Sequence, residues 1–178
     1  MAIIYKCFVK LIYIPSISQI IMINVKISNE VNKPLSELWK LSVENFDTMG
    51  TWATGVLHSK KGENCDRVCA TPFGELHEDI LEKNEEEHFI KVAASGMPFF
   101  VTKATGGWSF KEITEDLTGF TVELNLETMP VIGSVMGLFM KPKLRKSLEI
   151  VANDYKTYLE TGEISKSKKR EIAKHSKK

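Results

Sequence analysis

An acidic and a basic residue, Glu78 and Arg67, lie on consecutive segments that have the alternating pattern of β-strands. Glu78 stands between Leu76 and Ile80 at every second position, so all three share one face of a strand. The two apolar neighbours predict that this face points inward, where a carboxylate needs a partner, and Arg67 is the obvious one. Such a pair could orient a polar head group or move a proton. The alternative, which we favour, is an internal ion pair that fixes the strand register, or two exposed charges.

The histidines and serines lack the spacing that catalysis or metal binding requires. None of the four histidines belongs to a metal-ligand pattern, so no metal site is predicted. His58 shares strand parity with Val56 and joins Arg67 and Glu78 as a catalytic candidate. The sequence contains neither a nucleophile elbow nor a complete phosphate-binding loop. No cofactor is therefore predicted, and a role without catalysis is favoured.

The three cysteines, Cys7, Cys65 and Cys69, do not form a disulfide framework. Their odd number is typical of a reducing compartment and predicts a cytoplasmic protein. Three residues separate Cys65 from Cys69, which is not the two-residue gap of a zinc or redox pair. On one strand they would share a face but lie beyond disulfide reach. We interpret them as small buried side chains or ordinary thiols.

Apolar residues that share strand parity are the better candidates for a binding site. Trp52 ends a short helix, where it could cap the mouth of a pocket, and methionines before a long helix suit variable apolar ligands. The predicted ligand-binding residues are Trp52, Val56, His58, Arg67, Leu76, Glu78, Ile80, Ile90, Val92, Trp108, Phe110, Leu124, Met136 and Met140. Most of these positions are also explained as ordinary core, and we expect about a third of them to touch a ligand.

The elements that must position these residues follow from periodicity and turn signals. A strand over residues 23–31 precedes two short helices that end at Trp52, and about six short strands joined by tight turns follow up to residue 127. Such a succession predicts an antiparallel sheet. The pair Gly106-Gly107 within one strand predicts a bulge or a close approach of another backbone.

A long amphipathic helix follows these strands. Leu144, Leu148, Val151, Tyr155 and Tyr158 recur at steps of three and four residues and share one face. Such a face needs a large apolar surface, which a curved sheet would supply. A single helix rarely fills a curved sheet, and the remaining space could hold a ligand. The proline before this face is predicted to kink or restart the helix.

This order of elements, with its local motifs, resembles the START-like helix-grip superfamily, also called SRPBCC proteins, and in particular its polyketide cyclase/dehydrase and lipid-transport branch. The segments that carry the resemblance are residues 34–39, 47–52, 67–80, 136–142 and 158–162. The resemblance implies an α+β helix-grip fold with about seven curved antiparallel strands around a long C-terminal helix. It also implies a hydrophobic cavity, but it fixes neither ligand nor reaction.

The chain of 178 residues is predicted to contain one helix-grip domain over residues 22–162. Residues 1–21 form an apolar extension that is either dispensable or a weak membrane anchor, because the uncharged stretch is too short to span a bilayer. Residues 163–178 carry a formal charge of +5 and are predicted to be a disordered tail. A tether to anionic lipid is the alternative, and the absence of aromatic residues argues against nucleic acid.

The predicted function is binding or transport of a small hydrophobic, lipid- or polyketide-like molecule. The alternatives are a cyclase/dehydrase-type enzyme acting in the same cavity and a protein-interaction module. The sequence does not indicate an oligomeric state.

Overall fold

The computed structural model describes residues 20–176, apart from the side chains of residues 131–138. The expectations about residues 1–19, including Cys7, and about the Met136 side chain lie outside the described residues.

The strands and helices follow one another in the order β1 (Ile21–Val31), α1 (Leu35–Trp39), α2 (Met49–Trp52), β2 (His58–Lys60), β3 (Arg67–Thr71), β4 (Gly74–Asn84), β5 (Phe89–Ser95), β6 (Val101–Thr114), β7 (Leu117–Thr128), α3 (Pro130–Thr161) and α4 (Lys166–His175). A π-helical turn (Lys40–Glu44) and a 3-10 turn (Phe46–Thr48) connect α1 to α2.

The seven strands form one sheet in the order β1-β7-β6-β5-β4-β3-β2, and every neighbouring pair is antiparallel. Register shifts occur at Ile80/Glu82, Val101/Lys103 and Glu112/Thr114, and such irregularities bend the strands that carry them. The predicted α+β helix-grip architecture, a curved antiparallel sheet with a long C-terminal helix, is confirmed.

Helix α3 crosses the concave side of the sheet and lies closest to β1 and β7. It has 32 residues and continues through Pro142. Of the two predicted effects of this proline, a kink or a restart of the helix, the restart was therefore wrong. Met140 and Leu144, on either side of Pro142, both pack against the sheet, which supports the helix across the missing hydrogen bond. The helix ends at Gly162, whose positive φ of 70° allows its N–H to cap the carbonyl of Tyr158.

The prediction that residues 163–178 are disordered was wrong for the described part of that segment. Ser165 accepts a hydrogen bond from the backbone N–H of Lys168 and caps helix α4. Lys168 is buried and donates to the carbonyl oxygens of Ala53 and Val56. Ala53 and Val56 are distant from Lys168 in sequence. Their contacts with it could not be predicted from the basic segment alone, which has the composition of a solvated tail.

Among the described residues, the buried apolar side chains form two clusters. The larger one surrounds Tyr155 and includes Trp52, Phe110 and Phe120. The smaller one contains Ile23, Val25, Ala104 and Leu126. Leu148 of α3 packs against both. In the described part of the chain, no helix combines the length and the apolar character that a transmembrane span requires.

Candidate functional site

The predicted pairing of Arg67 with Glu78 is present on the concave face. The two residues stand opposite each other in the register of β3 and β4, and Arg67 Nε lies 2.7 Å from Glu78 Oε2. Arg67 Nη1 also donates to the carbonyl oxygen of Phe46 at 2.6 Å, and the guanidinium lies 3.8 Å from the Phe46 ring centroid. The buried charge is therefore paired and hydrogen-bonded, as burial requires.

Cys69 completes this polar cluster, although its sequence pattern predicted only an ordinary thiol or a small buried side chain. Its Sγ donates to Glu78 Oε2 at 3.3 Å. Burial raises the pKa of the Cys69 thiol to about 12. The guanidinium of Arg67 lowers this pKa, and the charge of Glu78 raises it. The thiol is therefore a hydrogen-bond donor near neutral pH and not a nucleophile. The sequence signal for this position was that Cys69 lies two residues after Arg67 and therefore on the same face of the strand.

The second oxygen of Glu78 accepts no hydrogen bond from the part of the chain that the structure describes. Arg67 and Cys69 both use Oε2, and no hydrogen bond from a described residue reaches Oε1. The Glu78 side chain is 16% exposed, so it is neither fully buried nor open to solvent. A carboxylate oxygen in this position can accept a hydrogen bond from a hydroxyl or amine group.

Small residues lie beside Glu78 on the concave face. Ala94 stands opposite Glu78 in the register, and Ala104 stands opposite Ala94. Gly106, two residues after Ala104, contributes no side chain to the same face. We use the name concave cleft for the region of the concave face around Glu78, Ala94, Ala104 and Gly106. Small residues give no periodic apolar signal, so the sequence analysis did not place Ala104 or Gly106 in a site.

Partly buried apolar side chains border the concave cleft. They point to the inner side of the sheet or of α3 but are less buried than the core: Leu76, Ile80, Leu124, Met140 and Leu148. Incomplete burial of inward-facing apolar groups between two core clusters indicates a cleft instead of continuous packing. Helix α3 lies nearer to β1 and β7 than to β4 and β5, and its described side chains Met140 and Leu148 pack at the border of this region.

Aromatic side chains fill the other half of the concave side. The Tyr155 ring centroid lies 4.7 Å from that of Trp108, 5.1 Å from that of Phe120 and 5.3 Å from that of Trp52. Trp52 is 3% exposed, so the expectation that it caps a pocket mouth was wrong: it belongs to the core. The Tyr155 hydroxyl donates to the carbonyl oxygen of Leu38 and completes the closure of this end.

The structure separates the sequence-predicted site residues into three groups. Those that border or lie next to the concave cleft are Arg67, Leu76, Glu78, Ile80, Leu124 and Met140. Those that belong to the larger core cluster or its aromatic border are Trp52, Val56, Ile90, Val92, Trp108 and Phe110. The third group is His58 alone, which lies away from both.

His58 is exposed, and the expectation that it looks into the cavity was wrong. It pairs with Ala70, whereas its neighbour Ser59 pairs with the inward-facing Cys69. Strand β2 begins at His58, so Val56 lies before the strand and does not set its parity.

Grooves with described walls also occur on the outer surface. One of about 490 Å³ beside α1 is lined by Trp39, His88 and several glutamates, and one of about 680 Å³ beside β2 is lined by Lys60, Lys61 and neighbouring polar residues. Both are open and polar, so they suit an apolar molecule less well than the concave cleft does.

The architecture is a helix-grip fold, in which a curved antiparallel sheet holds a long C-terminal helix. Neither the family profiles nor the curated proteins contain a match to the chain. Solved structures with the same fold include XoxI from Bacillus cereus, which is 19% identical over 76% of this chain and 94% of that chain, with a TM-score of 0.61. A START superfamily protein from Mycobacterium smegmatis is 15% identical over 76% and 96%, with a TM-score of 0.59. A point mutant of norcoclaurine synthase from Thalictrum flavum is 10% identical over 79% and 95%, with a TM-score of 0.62. At these identities the similarity shows the fold.

Proposed function

We propose that this protein binds a small, mainly apolar molecule in the concave cleft, and that a hydroxyl or amine group of the molecule donates a hydrogen bond to Glu78 Oε1. The observation that carries this proposal is a carboxylate oxygen that accepts no hydrogen bond from the described residues and belongs to a side chain next to Ala94 in the sheet. An apolar surface with one well-placed polar group is the usual composition of a small-molecule site.

The contacts of Glu78 make it suitable for orienting a ligand. Its Oε2 is fixed by Arg67 and Cys69, so the direction of Oε1 is fixed before any ligand arrives. A preorganised acceptor costs little conformational entropy on binding. A ligand donor would therefore gain a charge-assisted hydrogen bond, while the apolar remainder contacts Leu76, Ile80 and Leu124.

The solved relatives support a ligand of this size. A norcoclaurine synthase structure from Thalictrum flavum contains dopamine and hydroxybenzaldehyde. The helix-grip fold can therefore hold small aromatic molecules that carry hydroxyl or amine groups. For this chain that remains part of the proposal, because the similarity to norcoclaurine synthase concerns the fold.

Binding is favoured over catalysis by the state of the polar cluster. Arg67 already contacts Glu78 and Phe46, and the Cys69 thiol is held in its neutral form. Among the described residues, Glu78 Oε1 is the acceptor of this cluster to which no hydrogen bond is donated. General acid–base catalysis of a cyclisation or dehydration usually needs a second positioned group.

A fluorescence titration with N-phenyl-1-naphthylamine, an apolar probe with one N–H donor, tests the proposal. We expect saturable binding to the wild type and at least tenfold weaker binding to Ala94→Phe, whose ring would occupy the concave cleft. Ala93→Phe is the matched control, because Ala93 adds the same ring to the opposite face of β5. We expect Glu78→Gln to weaken binding of the probe less than Ala94→Phe does.

Two outcomes would contradict the proposal. One is an Ala94→Phe variant that binds the probe as tightly as the wild type. The other is equal weakening by Ala93→Phe, which would indicate an effect on the sheet and not on the cleft. Thermal unfolding of both variants separates loss of the site from loss of the fold.

A further inference from the structure

Antiparallel pairing brings several loop tips to one end of the sheet. Ile21 at the start of β1 pairs with Thr128 at the end of β7. The N–H of Met129 donates to the carbonyl oxygen of Phe100 at 2.9 Å, which joins the loop before β6 to the same end. Phe73 lies in the turn between β3 and β4, beside the loop that follows β5.

The contact between these last two loops is close. A Cβ on Gly96 would overlap the carbonyl oxygen of Glu75, so residue 96 passes directly against the beginning of β4. The turn with Phe73 and the loop with Phe99 are therefore neighbours. We call Ile20, Phe73, Phe99 and Met129 together the apolar end.

Large apolar side chains at this end are exposed to an unusual degree. Phe73 is 98% exposed, Phe99 is 77% exposed, Ile20 is 60% exposed and Met129 is 40% exposed. Single exposed apolar residues are ordinary, but several on adjacent loop tips are typical of a surface that meets another apolar phase. Two of the four are phenylalanines at the tips of turns, where a side chain projects away from the domain.

Basic residues lie along the same half of the molecule. Met140 and Leu144 of α3 pack against Ile23 and Ala104, which places this part of α3 over the half of the sheet near the apolar end. The exposed residues on this part of the helix include Phe139, Lys141, Lys143, Arg145 and Lys146. Arg145 is paired with Glu149 at 3.1 Å, and no ion pair involves the other three cations among the described residues.

Two acidic residues at the apolar end each contact a basic side chain. Glu127 Oε1 lies 3.5 Å from Lys103 Nζ, and Glu75 Oε1 lies 3.4 Å from His77 Nε2, a pair that is ionic only when the histidine is protonated. The end therefore combines protruding apolar groups with a surplus of positive charge on the adjoining helix. This combination suits the interface of a bilayer that contains anionic lipid.

We propose that the apolar end docks on an anionic lipid bilayer, with Phe73 and Phe99 inserted at the level of the head groups and Lys141, Lys143 and Lys146 facing the lipid phosphates. Loop tips that project separately can enter a soft interface, whereas a rigid protein partner would need a flat or complementary patch. The inference goes beyond ligand binding, because vesicle attachment requires no ligand in the concave cleft.

Vesicle flotation with the full chain tests this surface. We expect the wild type to float with vesicles of phosphatidylcholine and phosphatidylserine and to float less with phosphatidylcholine alone. The double variant Phe73→Ser/Phe99→Ser should lower the partition coefficient by about tenfold or more, because two rings no longer enter the interface. The matched control is Ile113→Ser, which removes an exposed apolar side chain at the opposite end of β6.

Each result decides for or against the proposal. Equal flotation of the double variant and the wild type would overturn it, as would an equal loss for Ile113→Ser. Loss of flotation on removal of residues 1–19, with no effect of the double variant, would assign attachment to the N-terminal segment instead. A concentration-dependent dimer that the double variant abolishes, without any vesicle binding, would assign the apolar end to a second copy of the chain. If the double variant still binds N-phenyl-1-naphthylamine in solution, its loss of flotation is not caused by damage to the concave cleft.

Discussion

The side-chain nitrogen of Lys168 lies 2.6 Å from the carbonyl oxygen of Val56 and is almost completely buried. The same nitrogen donates to the carbonyl oxygen of Ala53 at 3.0 Å and to Glu171 Oε2 at 3.0 Å. Glu171 Oε1 in turn accepts the N–H of Gly55 at 2.8 Å. Helix α4 therefore fastens the segment that leads from Trp52, in the aromatic core, into β2.

A second set of contacts fastens this segment to α3. Asp154 is 1% exposed, and its Oδ2 accepts the N–H of Thr54 at 2.7 Å. Its Oδ1 accepts a hydrogen bond from the hydroxyl of Ser165, the cap of α4. Asp154 thus joins the long helix, the last helix and the loop after α2 in one polar network, which low local polarity makes costly to disrupt.

Lys168→Met should destabilise the protein by about 2–4 kcal/mol. The change leaves the carbonyl oxygen of Val56 without the Lys168 donor, leaves that of Ala53 with only the Val56 N–H at 3.4 Å, and leaves Glu171 without its cation. Urea unfolding followed by circular dichroism would measure the loss. Lys169→Met is the control: Lys169 is exposed, pairs with the exposed Glu163, and should change stability by less than about 0.5 kcal/mol. Equal effects of the two substitutions would show that the buried contacts of Lys168 do not stabilise the fold.

Stability should fall at alkaline pH because two buried groups hold their protons in the native state. Burial raises the pKa of Cys69 from 9.0 to about 12, and burial raises the pKa of Tyr155 above its usual value of 10 despite the Ser42 hydrogen bond. Between pH 9 and 12 the unfolded chain releases the Cys69 proton and the native protein keeps it. This contribution to stability is therefore complete below pH 9 and is lost as the pH rises toward 12.

Urea midpoints between about pH 8 and pH 11 would test this dependence. We expect Cys69→Ala to reduce the loss of stability over this range by about 1–2 kcal/mol, since the variant has no thiol to titrate. Tyr155→Phe should reduce the loss above pH 10 in the same way, although it weakens the protein at neutral pH by removing the hydrogen bonds to Ser42 and Leu38. An unchanged pH profile in both variants would contradict the assignment.

Gly107→Ala should cost about 1–3 kcal/mol of unfolding free energy. A Cβ at Gly107 would overlap the carbonyl oxygen of Ile90 on the neighbouring strand, and two central strands cannot separate without losing ladder hydrogen bonds. Gly119→Ala is the control on β7, because its Cβ would lie 3.4 Å from the Ile113 side chain in an ordinary contact. Thermal unfolding of both variants would be the measurement. A Gly107→Ala protein as stable as Gly119→Ala would show that the strands adjust without cost.

The close approach at Gly107 also illustrates how local patterns predicted the fold. The pair Gly106-Gly107 suggested a bulge or a close backbone, and the structure contains the close approach with an uninterrupted register on both sides. The alternation of Leu76, Glu78 and Ile80 predicted the face of β4, and the ion pair with Arg67 followed from it. These predictions succeeded because period-two alternation depends on neighbouring residues alone.

The candidate site was less predictable than the fold. Ala104 and Gly106 shape the concave cleft by having little or no side chain, and an absence of bulk leaves no signal in a single sequence. Trp52 was expected at a pocket mouth but packs against Tyr155, because its position depends on how α2 folds back onto α3. His58 was assigned to the wrong face because the start of β2 depends on its pairing with Ala70.

The amino-acid sequence by itself determined the order of the strands and helices, the inner face of most strands and the pairing of Arg67 with Glu78. Each of these depends on periodicity over a few residues or on the need of a buried charge for a partner. The tertiary structure alone decided that Lys168 is a buried donor, that Tyr155 closes half of the concave side, and that the loops with Phe73 and Phe99 meet at one end. Those outcomes depend on contacts between residues far apart in the chain, whose distances are set by the curvature of the sheet and the path of α3 across it.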